Sequence, residues 1–401
     1  MKDVLYGLFR DLKQRCQLLR TLLEQHACHP DVEDYRAGII ETITLVGNNV
    51  EEVMNDPAFG APSIIANNLR DYRLSSHMIK LLEWYPVPAI LQYGSSDHYF
   101  RTFMSQALVE MAYPFSLPVV SMSKDDYYSS YALFSLIMGP LLEEYSLLGL
   151  PDLFHELGHL ILDRERLRFL GRFDAELKKY FAKERRGVRI AQKPPKYEEI
   201  IKGIQQQWID AWSVEFACDM IATYLVGAAY GWAHLRLCAS SLGDNVYEPG
   251  PENLNSTHPS DNARLQGIVE MLLLLKERDE TAHLRSRWNE YLSLTGDSSP
   301  QDYALCYPSQ ILKKLAQHVY DGCKAIGLKP FSEQVPIAGD QTVSNLLNAA
   351  WREFLANPQE YGAWEECRLA ELRVKLEQLN TAGQSTHDVR PTSTSNTDDL
   401  V

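Results

Sequence analysis

The stretch Pro151-Asp-Leu-Phe-His155-Glu156-Leu-Gly-His159-Leu-Ile-Leu162 decides how the rest of this 401-residue chain is read. It sets H-E-x-x-H among Leu153, Phe154, Leu157, Leu160 and Ile161 with no internal proline, the pattern of a buried helix opened by Pro151. Residues four apart share a helix face, so both imidazoles can reach one cation while Glu156 lies beside them. Catalytic zinc takes three protein ligands and leaves a fourth position for water, whose pKa it lowers towards about 7 so that a nearby carboxylate can take the proton. His155 and His159 are therefore expected as Zn2+ ligands and Glu156 as the general base. The competing reading is a chance match on a buried helix. With 11 histidines in the chain, such a match arises in about two of every hundred comparable sequences.

A third ligand has to come from elsewhere. Downstream, Trp208-Ile-Asp-Ala-Trp-Ser-Val-Glu215-Phe-Ala-Cys-Asp219 reads as a second helix with Glu215 and Asp219 one turn apart. Asp210 is expected in solvent. Glu215 and Asp219, in contrast, stand among Trp208, Trp212, Val214, Phe216, Ile221 and Leu225, where unpaired carboxylates are costly. Ligation by Glu215 relieves that cost, and Asp219 can accept the free ring N–H of His155 or His159. A third element, Ser256-Thr-His258-Pro-Ser-Asp-Asn-Ala-Arg264, offers His258 and Arg264 as donors to the oxyanion formed in amide hydrolysis. The alternative for Arg264 is a structural bridge to Asp219 or Glu215.

The order H-E-x-x-H, E-x-x-x-D, T-H-P-x-x-x-x-R resembles the gluzincin metallopeptidases, most closely the group of the CAAX prenyl endopeptidases and the bacterial heat-shock membrane peptidases. The resemblance spans about residues 115–270. It implies a zincin-like metallopeptidase core with zinc on His155, His159 and Glu215, Glu156 as base, and His258 and Arg264 near the substrate. It also implies that Leu117–Met122 is the edge strand that pairs with an extended substrate. Those relatives are membrane-embedded. Here the most apolar run, Met220–Ala233, is too short for a span of about 20 residues, so membrane substrates do not carry over.

Around this centre the chain reads as mainly α with a small β-sheet, an α+β protein with helical flanking regions. The expected segments are a helical N-terminal unit at 1–83, a zincin-like domain at 84–280, a helical region at 281–380 and a disordered tail at 381–401. Short apolar runs at 87–93 and 115–122 read as strands with a helix between 97 and 111, and a further helix is expected from 125 to 140. Later helices are expected at 199–226, 260–278, 283–294, 308–325, 342–356 and 360–379.

Composition narrows the setting. Thirty-nine basic against 53 acidic residues give a net charge of −14, which disfavours a globally basic nucleic-acid binder. Residues 164–196 nevertheless hold 12 Lys and Arg and four Asp and Glu, a +8 insert within a −22 body. This is either a solvated helix or a docking surface for a regulatory ligand or partner. The seven scattered cysteines, with no CxxC, and the charged N-terminus point to a reduced, cytoplasmic, soluble protein. The expected function is zinc-dependent hydrolysis of a protein or peptide substrate, with or without a latent state that a ligand or partner releases. The rival is a non-catalytic, zinc-stabilised interaction protein.

Overall fold

A computed structural model describes residues 2–123, 127–141, 143–240, 245–337 and 341–384. The described chain is mostly helical with one three-stranded sheet, an α+β architecture. It divides into two compact units, Met1–Arg101 with Pro118–Leu141, and Thr102–Leu117 with Leu142–Val401. The expected 84–280 segment is thus shared between them, and 281–380 belongs to the second.

In the first unit, α1 (Lys2–Gln25), α2 (Glu33–Asn55) and α3 (Ile65–Trp84) pack on one another. The 3–4 spacing of Leu5, Phe9, Leu12 and Cys16 turns one face of α1 inwards, and Phe9 meets Phe59 and Tyr72 edge-on. The run at 87–93 is not a strand: Pro86–Leu91 forms a short helix, α4. Two prolines deprive this stretch of ladder donors, while Pro86 at the first helical position is pre-set for a helix. Helix α5 (Ser95–Glu110) lies where the sequence places it.

Strands β1 (Val119–Ser123), β2 (Ser129–Tyr131) and β3 (Leu136–Pro140) form the sheet in the order β1-β3-β2. β1 runs parallel to β3, with Val119 opposite Leu136, and β2 runs antiparallel to it. The helix expected from 125 to 140 is therefore corrected to two strands where the chain is described; residues 124–126 lie outside the described residues. Ser135, at φ +47°, breaks any helix there, and Leu136-Ile-Met138 is a short buried run of the kind a strand needs. Asp97, buried, fixes the start of α5 and the end of β1 by accepting from the backbone N–H groups of Gly94 and Met122.

The second unit is built on α6 (Leu153–Ile190), kinked at Glu165, which has φ −122°. After α7 (Pro195–Gln207), one π-helical turn (Trp208–Trp212) leads into α8 (Ser213–Val226), and α9 (Ala228–Ser240) follows at once. The remaining helices are α10 (Asp261–Leu274), α11 (Arg278–Thr295), α12 (Tyr303–Cys306), α13 (Ser309–Ala325), α14 (Val343–Ala356) and α15 (Tyr361–Gln384). α9 has no counterpart among the expected helices. Of the expected disordered tail, 381–384 continue α15, and 385–401 lie outside the described residues.

α8 is apolar almost all round, and every residue from Glu215 to Val226 is buried, so it forms the centre of the unit against α6, α9, α10 and α13. α6 crosses it at Gly158, where a Cβ would lie 2.9 Å from the Cα of Cys218. Only glycine permits that approach. Gly227 then turns the chain from α8 into α9 at φ +66°, ψ −145°, a conformation L side chains rarely adopt. Among the described residues no helix is long and apolar enough to cross a membrane.

Candidate metal centre

The crossing of α6 and α8 brings His155 and His159 to Glu215, and His155 to Asp219, all within the second unit, with Glu156 next to His155 on α6. His155, Glu156, Glu215 and Asp219 are buried, and Asp219 has no exposed surface. The π-helical turn before α8 holds Trp208 and Trp212 in the core, and the Trp208 carbonyl accepts from both the backbone N–H and the Oγ of Ser213.

Three imidazoles face the Glu215 carboxylate. His155 Nε2 lies 3.4 Å and His258 Nε2 3.5 Å from Oε2, and His159 Nε2 lies 3.6 Å from Oε1. These separations exceed an ordinary hydrogen bond, and Oε2, although buried, has no hydrogen-bond partner. They are the size of a tetrahedral ligand edge, since bonds of about 2.0–2.2 Å to a metal such as zinc put neighbouring ligand atoms about 3.3–3.6 Å apart. Ligand-type atoms of His155, His159 and Cys218 also lie within 4.8 Å of one another, so these residues could hold a metal ion.

Behind this set, His155 Nδ1 lies 2.8 Å from Asp219 Oδ1. An Nδ1–H donated there leaves Nε2 facing Glu215, so once its Nε2 proton is lost the ring presents its lone pair on that side. Asp219 in turn receives Arg264 Nε at 2.9 Å and Nη2 at 2.7 Å, and the Tyr230 hydroxyl from α9. The contacts of Arg264 are those of the bridging alternative: its fork is spent on Asp219, and it too is buried.

The electrostatics follow from this packing. Burial alone would raise the Glu215 carboxyl, but the three imidazoles hold it down at about 2. Burial would likewise strip His155 of its proton, yet Asp219 and Glu215 raise it to about 10, while burial and the neighbouring His155 charge push His159 down to about 4. Asp219 resists its burial because Arg264 holds it well below the usual carboxylate range. Two carboxylates that stay ionised despite burial, and a His155 ring that holds its proton between them, form a cluster short of positive charge.

His258 stands in the loop before α10, largely exposed, with Thr257 Oγ1 3.2 Å from its Nδ1. Trp212 Nε1 donates to the Ser256 carbonyl at 3.1 Å and Tyr307 OH receives the Ser260 N–H, so the loop is tied to the core on both sides of the ring. Asp210 is exposed and accepts from Gln206. The 164–196 insert forms the rest of α6 and its connection to α7, where Arg189 pairs with Glu198. Strand β1 lies in the first unit and the histidine cluster in the second.

Two residues of the centre escaped the sequence. Cys218 can bring its sulfur within 4.8 Å of ligand atoms of His155 and His159. Burial and the carboxylates of Glu215, Asp219 and Glu156 raise its thiol well above the normal value, which opposes the thiolate a metal requires. Tyr230 reaches Asp219 only because the Gly227 turn folds α9 back, and no spacing rule signals that. Two other clusters with ligand-type atoms, His29-Asp31-His98 and His234-Cys238-Asp261, are occupied with their own contacts. Tyr93 donates to Asp31 beside His98, and His234 Nε2 faces the Asp261 carbonyl.

No family model, curated protein or solved structure matches this chain.

Proposed function

We propose that the chain is a zinc-dependent metallopeptidase of gluzincin type, acting on a protein or peptide substrate. The observation that carries this reading is the buried Glu215 Oε2, without a hydrogen-bond partner and faced by the rings of His155 and His258, the first of them anchored on Asp219. His155, His159 and Glu215 would hold the metal, which supplies Lewis acidity to the scissile carbonyl and to water. Glu156, buried on the same turn of α6 as His155, takes the proton of the attacking water and returns it to the leaving nitrogen. His258 donates to the developing oxyanion from the mouth of the site, and Arg264 acts through Asp219 as a positioning residue.

The position of the His258 ring against Glu215 favours a latent form within this reading, since substrate has to share the space it fills. The basic face at 164–196 is the proposed regulatory contact. A cytoplasmic setting is in keeping with seven unpaired cysteines.

The test couples metal content to cleavage. Wild-type protein is expected to bind one zinc and to cut members of a peptide library. Glu156→Gln should keep the zinc and lose at least about 100-fold in kcat, and His258→Ala should lose a similar factor. An active Gln variant overturns the mechanism, and a rise in activity of His258→Ala makes that residue a cover instead of a donor. Full zinc with no cleavage by any form, wild type included, favours the rival reading of a zinc-stabilised interaction protein.

A further inference from the structure

On the side of α9 away from Asp219, the second unit contains a cavity of about 550 Å³ between α9, α11 and α14. Its walls include Trp232, Leu235, Tyr291, Trp351, Phe354 and Leu355. Trp232 and Trp351 lie nearly parallel, with ring centroids 6.3 Å apart, and the Tyr291 hydroxyl is spent on the Cys238 carbonyl, so the ring and not the polar tip faces the space. Packed cores leave few voids larger than a water molecule, whereas cavities of about 300–1,000 Å³ with apolar walls and a few polar groups are the size of ligand sites.

The polar groups lie at the rim. Arg236 and Arg287 stand there against one lining acid, Glu290, in a chain whose net charge is −14. Neither arginine is locked. Arg236 meets Glu143 at a loose 3.4 Å, and the Arg287–Glu290 pair is half exposed, the kind of surface contact that contributes little and exchanges readily. Leu294, 87 % exposed, adds an apolar lip.

We propose that this cavity binds a single-chain anionic amphiphile, with its hydrocarbon chain against the tryptophans of α9 and α14 and its carboxylate on Arg236 and Arg287. The apolar walls select the chain, and the cationic rim selects the head group. The inference is independent of the peptidase reading, because none of these residues belongs to the histidine cluster.

The test is calorimetric titration of the full-length protein with laurate, and with dodecyltrimethylammonium as a cation of the same chain length, both below micelle formation. Laurate is expected to bind 1:1 and to quench tryptophan fluorescence, with the cation at least about tenfold weaker. Ala239→Trp, which fills the cavity, should abolish binding, and Arg236→Ala with Arg287→Ala should weaken it about tenfold. Leu294→Glu guards against misfolding of the blocking variant, since an exposed side chain is changed, and should weaken laurate by repulsion at the mouth. The proposal is overturned if laurate shows no saturable 1:1 binding. It is overturned equally if the cation binds as well as laurate, or if folded Ala239→Trp and Leu294→Glu both bind like wild type.

Discussion

Asp219 has no exposed surface and serves three partners at once: the ring of His155, the fork of Arg264 and the hydroxyl of Tyr230. Removing it has two separable effects. Arg264 is left as an uncompensated buried cation, which costs about 3–5 kcal/mol. His155 loses the acceptor that fixes its tautomer, a loss worth about 10–100-fold in metal affinity. Asp219→Ala is therefore expected to lower both denaturant stability and zinc affinity. The pair Asp219→Leu with Arg264→Met, which removes both charges, should recover most of the stability and none of the affinity. Equilibrium unfolding and competitive chelator titration read the two effects apart. Parallel recovery of both would mean that Asp219 acts through packing alone.

At the scale of elements, the centre depends on how closely α6 and α8 approach. Gly158 sits between the two histidines of α6, and a methyl group there meets the backbone of Cys218, which cannot retreat as a flexible side chain would. Gly158→Ala should cost about 1–3 kcal/mol through overpacking. It should also weaken zinc binding, because the helices move apart by the distance that separates ligands from non-ligands. A thermal-shift series with and without zinc checks this, and a variant that binds zinc as wild type does would show that the crossing has slack. The same helices explain what the sequence made legible. A period of 3.6 puts His155 with His159 and Glu215 with Asp219 on shared faces, whatever the rest of the chain does. Two errors, at 87–93 and 125–140, fall on short apolar runs, where periodicity cannot separate strand from helix and local chemistry decides: prolines at 86 and 88, a left-handed Ser135. Tyr230 and the cavity were beyond reach for another reason. The first arises from the Gly227 turn, and the second from α11 and α14, distant in the chain, packing on α9.

Across the whole molecule, the two units have different sources of stability. The first is held by a core of α1–α4 and the sheet, including Phe9, Ile43, Ile79 and Leu136. The second gathers buried ionisable groups at its centre, the carboxylates of Glu156, Glu215 and Asp219, the His155 ring and Arg264, with α8 passing through them. Such a cluster is costly to bury, and on the proposed metal reading a bound cation would relieve it and link metal binding to the stability of this unit. With free zinc at a thousand times its dissociation constant, the linkage is worth about 4 kcal/mol. Chelation of the full-length protein should therefore reduce amide hydrogen-exchange protection in α6, α8 and α10 while leaving α1–α3 unchanged, and added zinc should restore it. Uniform loss of protection over both units would place the effect outside the histidine cluster. Unchanged protection in α8 would mean that the carboxylates and imidazoles are stable without a cation, and the metal reading would lose its main physical support.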